Sequence, residues 1–208
     1  PVYLFAFASV YLLVFVRLRI SFKNLRQRMQ AIWQHNKTYG LHLYTGMLFS
    51  AGSISLSGIL ISYFSPSNAG VGYFVLAMAI ARPLALIPGV IATTWFKDFA
   101  GQNKASFRLI LITLAMTLAA FAGLFLLAGP FIRLFYTVEF LPVIPLIHLC
   151  GVGMLLYGLA SFFNRFLEAH GRGRSVRNTY MAMGSTLLVL NLLLIPTYGA
   201  TGAALAAI

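Results

Sequence analysis

The carboxylates and imidazoles of this chain are few: Asp98, Glu139 and Glu168, with His35, His42, His148 and His170. General acid–base chemistry needs such groups paired, and a metal centre needs them at ligand spacing. Neither pattern is present, because the three acids fall in connectors or at the ends of apolar runs and the histidines are scattered. His148 is the one histidine inside an apolar run, where packing or a hydrogen bond accounts for it. The expectation is a protein that is not an enzyme, with no catalytic residue, no cofactor and no metal. Cys150 is the single cysteine, which excludes an intrachain disulfide, and it reads as a small buried side chain.

The residue that stands out is a cation. The stretch "AMAIARPLALIPG", residues 77–89, holds Arg82 in the middle of an apolar run, directly before Pro83 and six residues before Pro88. A charge at the bilayer centre costs at least about 2.5–3.5 kcal/mol, so such a residue faces a cavity or a partner. Proline removes a backbone donor and crowds the preceding turn, which predicts a kink at Pro83 and Pro88 and a freed carbonyl. A guanidinium set there can hold an anion through paired, charge-assisted hydrogen bonds. Snorkelling, or bonding to carbonyls of neighbouring helices, is the structural alternative.

Of the 208 residues, 60% are hydrophobic and only 9% are charged, with a mean hydropathy of +0.88. That composition belongs to a membrane protein and not to a soluble domain. Apolar windows of about 20 residues mark transmembrane helices, here near 1–16, 41–64, 71–95, 109–128, 143–164 and 178–196, with another from 202 onward. The fold class expected is all-α, a polytopic transmembrane bundle. The apolar runs at both ends read as a fragment of a longer chain.

The charges sort by side. Connectors 17–40, 96–108 and 165–177 hold thirteen of the fifteen basic residues, while the alternate connectors hold only Arg133. The positive-inside rule places the basic connectors in the cytoplasm and explains the net charge of +12 without nucleic acid. The fifteenth basic residue is Arg82. Within the first connector, Phe22, Leu25, Met29, Ile32 and Trp33 recur at three-and-four spacing with Lys23, Arg26 and Arg28 on the other faces. This predicts a short amphipathic helix on anionic membrane lipids at the cytoplasmic face, the alternative being a solvated basic loop.

The span at 41–64 is rich in small and hydroxyl residues, with Gly46 and Ser50, and again Ser53 and Ser57, four apart. That spacing suits close helix packing, and equally hydroxyls lining a hydrated cavity. Tyr44, Tyr73 and Tyr157 are placed to pack in the core. Ser53, Ser57, Tyr73, His148, Tyr157 and Asn191 are taken together as candidate cavity-lining residues.

Two motifs carry a family resemblance. One is a Gly-x-Gly-Tyr turn leading into a span with alanines and a basic residue: Gly70, Gly72, Tyr73, Ala77, Ala81 and Arg82. The other closes the chain: Gly171, Asn191, Pro196, then Tyr198, Gly199, Gly202, Ala203 and Ala204. In this order the chain resembles the Wzx-type polysaccharide-biosynthesis flippases of the multidrug/oligosaccharidyl-lipid/polysaccharide exporter superfamily. It departs from them at Ser57 and Gly58, where members often have an aspartate followed by a basic residue, so that a salt-bridge partner for Arg82 is lost. The resemblance implies a MATE-like exporter of two lobes, of which this chain is most of the second and the first is a missing partner. It implies alternating-access transfer of an undecaprenyl-pyrophosphate-linked oligosaccharide across the bacterial inner membrane, with Arg82 as phosphate anchor and Tyr44, Tyr73 and Tyr157 able to stack on sugar rings. The alternatives are a cation or drug antiporter on the same fold, or a membrane-embedded polymerase or glycosyltransferase.

Overall fold

The computed structural model describes residues 7, 10, 11, 17, 24–64, 69–102 and 104–208, with the side chains of His35 and Thr38 left aside. The expected span at 1–16 therefore lies almost wholly outside the described residues, as do Phe22 and Lys23. The chain divides into two compact units, residues 1–37 and 38–208.

In the first unit, helix α1 (Leu25–His35) follows Asn24, whose backbone is left-handed at φ 58°. Asparagine tolerates that conformation better than most residues, and here it sets the start of the helix. Every described side chain of α1 is exposed. A short π-helical turn, Asn36–Gly40, follows.

The second unit is an all-α bundle. Its long helices are α2 (Leu41–Phe64), α3 (Ala69–Thr94), α5 (Phe107–Phe135), α6 (Val143–Ala169) and α7 (Gly173–Ala206), with the single-turn α4 (Phe96–Ala100) after α3. All five long helices are apolar and long enough to cross a membrane. Helix α6 continues to Ala169, so Arg165 and Glu168 are helical.

Two parallel pairs build the bundle. Gly46 packs beside Tyr180, Ser50 beside Gly184, and Asn191 bonds Ser57, each pair 134 residues apart. A constant offset means that α2 and α7 run in the same direction in fixed register. The approach is close: a Cβ on Gly184 would lie 2.8 Å from the Phe49 ring and one on Gly46 2.9 Å from the Arg177 backbone. In membranes such small residues let backbones approach and gain dispersion contact that no hydrophobic effect supplies. The second pair is α3 with α6, where a Cβ on Gly158 would meet the Ala85 backbone at 2.9 Å and Pro88 at 3.1 Å. Both prolines lie inside continuous α3, and Pro88 is spent on this packing.

The closing motif has a geometric basis. At about 1.5 Å per residue, a straight helix of the length of α7 would run roughly 50 Å, well beyond a hydrocarbon core of about 30 Å. Gly199 interrupts it with φ 56° and ψ −130°, a conformation open to glycine and strained for other residues. The chain then folds back: the position of a Cβ on Gly202 is filled by the Leu194 carbonyl, and Ala207 reaches Gly153 of α6. Ala203 and Ala204 are fully buried in that fold. Glycine at 199 is needed for the turn, and glycine at 202 for the close return.

Candidate functional site

Helices α2, α3, α6 and α7 enclose an open cavity of about 450 Å³. Its polar lining comes from hydroxyls: Ser50 and Ser57 of α2, Tyr157 of α6, and Thr179 and Thr186 of α7. Phe74, Met78, Met154, Leu187 and Leu190 supply the apolar wall, and the chain end at Ala206–Ile208 completes it. A lining of apolar surface with a few placed polar groups is what a binding cavity needs.

Arg82 lies on α3 one turn beyond the cavity-lining Met78 and is not itself part of the lining. Phe74, Met78 and Arg82 are four apart, so they form one row along the helix; the first two line the cavity, and Arg82 is the next in line and exposed. It is the fourteenth residue of the 26-residue α3, so roughly 18–20 Å of helix separate it from either end. Among the described residues Arg82 makes no ion pair, and the one salt bridge lies elsewhere, between Arg165 and Glu168. Its neighbour Pro83 faces away, into a separate apolar cavity of about 400 Å³ between α3 and α5.

Of the residues expected to line a cavity, Ser57 and Tyr157 do so. Asn191 sits behind Ser57, fully buried between α2 and α7, and donates through Nδ2 to Ser57 Oγ at 2.7 Å. Its Oδ1 is buried without a partner. Ser53 is turned into its own helix, where its hydroxyl donates to the Phe49 carbonyl at 3.0 Å. Tyr73 lies at the far end of α3, donating to the Glu139 carbonyl at 3.0 Å and meeting Phe140 edge-on. His148 stacks on Phe125 of α5 at 4.1 Å between ring centroids and donates from Nε2 to the Phe125 carbonyl. These three are outside the cavity because their partners lie within α2, at the α5–α6 connection and on α5. Tyr44 is exposed.

Residue-by-residue reading of the sequence did not single out the basic end of α6. Gly153, Tyr157 and Ala160 line the cavity, and the same face continues through Asn164 and Glu168, both buried. The Glu168 side chain is 6% exposed and accepts from Arg165, itself 47% exposed, at 2.6 Å. Tyr180 of α7 faces Asn164 and Glu168. Tyr39 lies close enough that burial first, and the Glu168 charge second, push its phenol above the ordinary tyrosine value, with Arg165 opposing. The signal was the three- and four-residue spacing of Tyr157, Ala160, Asn164 and Glu168, which runs through a stretch that hydropathy alone assigns to a basic connector. Arg177 next to this end donates to His42 Nδ1 at 3.1 Å, joining α7 to α2. Among the described residues no cluster is able to hold a metal.

No family model and no curated protein matches the chain. One solved structure, "Outward-facing conformation of a multidrug resistance MATE family transporter of the MOP superfamily", matches with a TM-score of 0.62 at 18% identity. The chain has the MATE transporter fold. The match covers 83% of this chain and 41% of that one, so the chain spans about two fifths of the transporter's length. Together with the five long apolar helices, the MATE fold makes this a multi-pass membrane protein.

Proposed function

We propose that the chain is the second lobe of a flippase that moves undecaprenyl-pyrophosphate-linked oligosaccharide repeat units across the bacterial inner membrane. The observation that carries this reading is Arg82: an exposed guanidinium at mid-helix, one turn beyond the cavity-lining Met78, without an ion-pair partner among the described residues. A diphosphate is the ligand class that such a group holds best, because its oxygens accept paired N–H bonds that strengthen as water is excluded. The hydroxyls of Ser50, Ser57, Thr179, Thr186 and Tyr157 suit sugar hydroxyls, and the open side of the cavity leaves the lipid tail in the bilayer. Alternating access would come from rocking of this lobe against a first lobe about the cavity, as transporters of this architecture work. The resemblance in the Gly70–Arg82 and Tyr198–Ala204 motifs supports the substrate class.

The experiment is to replace the arginine in the intact gene. Arg82→Ala should abolish surface polysaccharide and leave lipid-linked oligosaccharide facing the cytoplasm at normal protein level, whereas Arg82→Lys keeps part of the activity. Normal polysaccharide from the alanine variant overturns the proposal.

A second reading, a cation or drug antiporter, is favoured by the buried Glu168 at the basic end and by the description of the matched transporter as a multidrug one. It predicts the reverse dependence. Glu168→Gln would stop transport and Arg82→Ala would spare it.

A further inference from the structure

Helix α1 has an apolar face that is exposed among the described residues. Leu25, Met29, Ile32 and Trp33 are each 55–60% exposed, and at 100° per residue they fall within an arc of about 100°. Arg26 and Arg28 lie on the two borders of that arc, and Gln27, Gln30 and Gln34 occupy the opposite side. Between Asn24 and Lys37 there is no acidic residue. Lys37 stands 5.5 Å from the centre of the Trp33 ring, which adds a further cation at the edge of the apolar face. In water this face would be a cost of exposure with nothing gained.

We propose that α1 lies on the anionic surface of the membrane that the other helices cross, with its apolar arc in the headgroup–acyl boundary. Three features select this occupant. The apolar arc is too narrow and too short for a spanning helix but suits shallow burial in the interface plane. Arg26 and Arg28 flank the arc, so their methylene stems lie along apolar surface while their guanidinium groups reach lipid phosphates on both sides. The tether is short: Asn36–Gly40 separate His35 from the first residue of α2, and five residues span at most roughly 18 Å. The all-basic charge of the segment complements phosphatidylglycerol-like headgroups.

The test uses the full chain with Trp95→Phe, which leaves Trp33 as its one tryptophan, reconstituted in vesicles of phosphatidylcholine with or without phosphatidylglycerol. In anionic vesicles brominated acyl chains should quench Trp33, and aqueous iodide should lose most of its access. Each arginine removed, as Arg26→Gln or Arg28→Gln, should lower the docked-to-undocked ratio about fivefold, and raising the salt should act in the same direction. Met29→Glu, which breaks the apolar arc and leaves the charges, should return Trp33 to iodide. Equal iodide access in anionic and neutral vesicles overturns the proposal. So does protection from iodide without quenching by brominated lipid, which would mean that protein covers the face, and so does lipid quenching that neither salt nor loss of the arginines weakens.

Discussion

The two cavities that share α3 are nearly equal in size, about 400 Å³ against α5 and about 450 Å³ against α2, α6 and α7. Their linings are different. The first is walled by Ile80, Pro83, Leu84, Ile87, Leu124 and Leu127, without a hydroxyl; the second carries serines, threonines and Tyr157 and meets α3 at Phe74 and Met78. One helix thus separates a dry compartment from a polar one. The comparison shows that capacity for a polar ligand comes from which faces the register brings together, because hydropathy along α3 is the same for both.

The comparison breaks most sharply if both cavities are filled. Ala160→Phe projects a ring into the polar cavity and should lower transport of the lipid-linked substrate by more than about tenfold, since it excludes the ligand. Gly123→Leu, placed in the dry cavity where a Cβ meets nothing within 4 Å, should change transport less than about twofold and stability by less than about 0.5 kcal/mol. Equal loss from the two variants would mean that the dry cavity is also part of the pathway.

A smaller effect is expected where the walls of the polar cavity are held. Gly158→Val drives a branched side chain into the Ala85 backbone and Pro88, and overpacking of that kind costs about 1–3 kcal/mol. Unfolding in mixed micelles should show it, while Gly52→Val on an open face of α2 should be nearly silent. Comparable loss at the two glycines would remove the claim that α3 and α6 meet at closest approach.

Next comes the polar pair behind the cavity. Ser57→Ala leaves Asn191 Nδ2 without its partner in addition to the orphan Oδ1, at a cost of about 0.6–2 kcal/mol. The double variant Ser57→Ala with Asn191→Leu should recover most of that loss, because no buried polar atom is then left over. A double-mutant cycle with no coupling would show that the pair does not link α2 to α7.

The smallest effect is a titration at the basic end. Because Tyr39 is raised above the ordinary value of 10.0, chiefly by burial and then by Glu168, its phenolate should form later on alkaline titration than that of an exposed tyrosine, read as absorbance lost in Tyr39→Phe. Glu168→Gln should bring it part of the way back and leave the burial contribution. The sign for stability follows: the fold holds this proton more tightly than the unfolded chain does, so the contribution is complete below about pH 10 and is lost as pH rises through the raised value.

Much of the fold is legible along the chain. The apolar windows near 41–64, 71–95 and 143–164 overlap α2, α3 and α6, because a helix in lipid must satisfy its own backbone and needs only length and hydropathy to be recognised. The ends are harder to read. Arg165 and Glu168 belong to α6, since a helix runs on past the apolar window where its inner face is still buried against α7. In the candidate site, Arg82 is conspicuous as the basic residue in an apolar span, but its row with Phe74 and Met78 acquires meaning only from the helices opposite. Ser53 and Ser57 look alike as hydroxyls four apart, yet one bonds its own helix and the other meets Asn191 from a distant part of the chain. Nothing local distinguishes them.

Read along the chain alone, the residues give an all-α membrane chain, the alternation of basic connectors, a lone mid-helix arginine beside proline, and an apolar period before α2 that suits an amphipathic helix or a solvated loop. These are consequences of composition and of periods of three and four residues, which act locally. Only the tertiary structure decided that α2 and α7 run parallel with an offset of 134 residues, that Gly199 turns the chain back so that Gly202 packs on Leu194, and that Glu168 is buried. Those outcomes rest on close approach between distant segments, where the space left by a missing side chain or a single hydrogen bond selects one register from several of equal hydropathy.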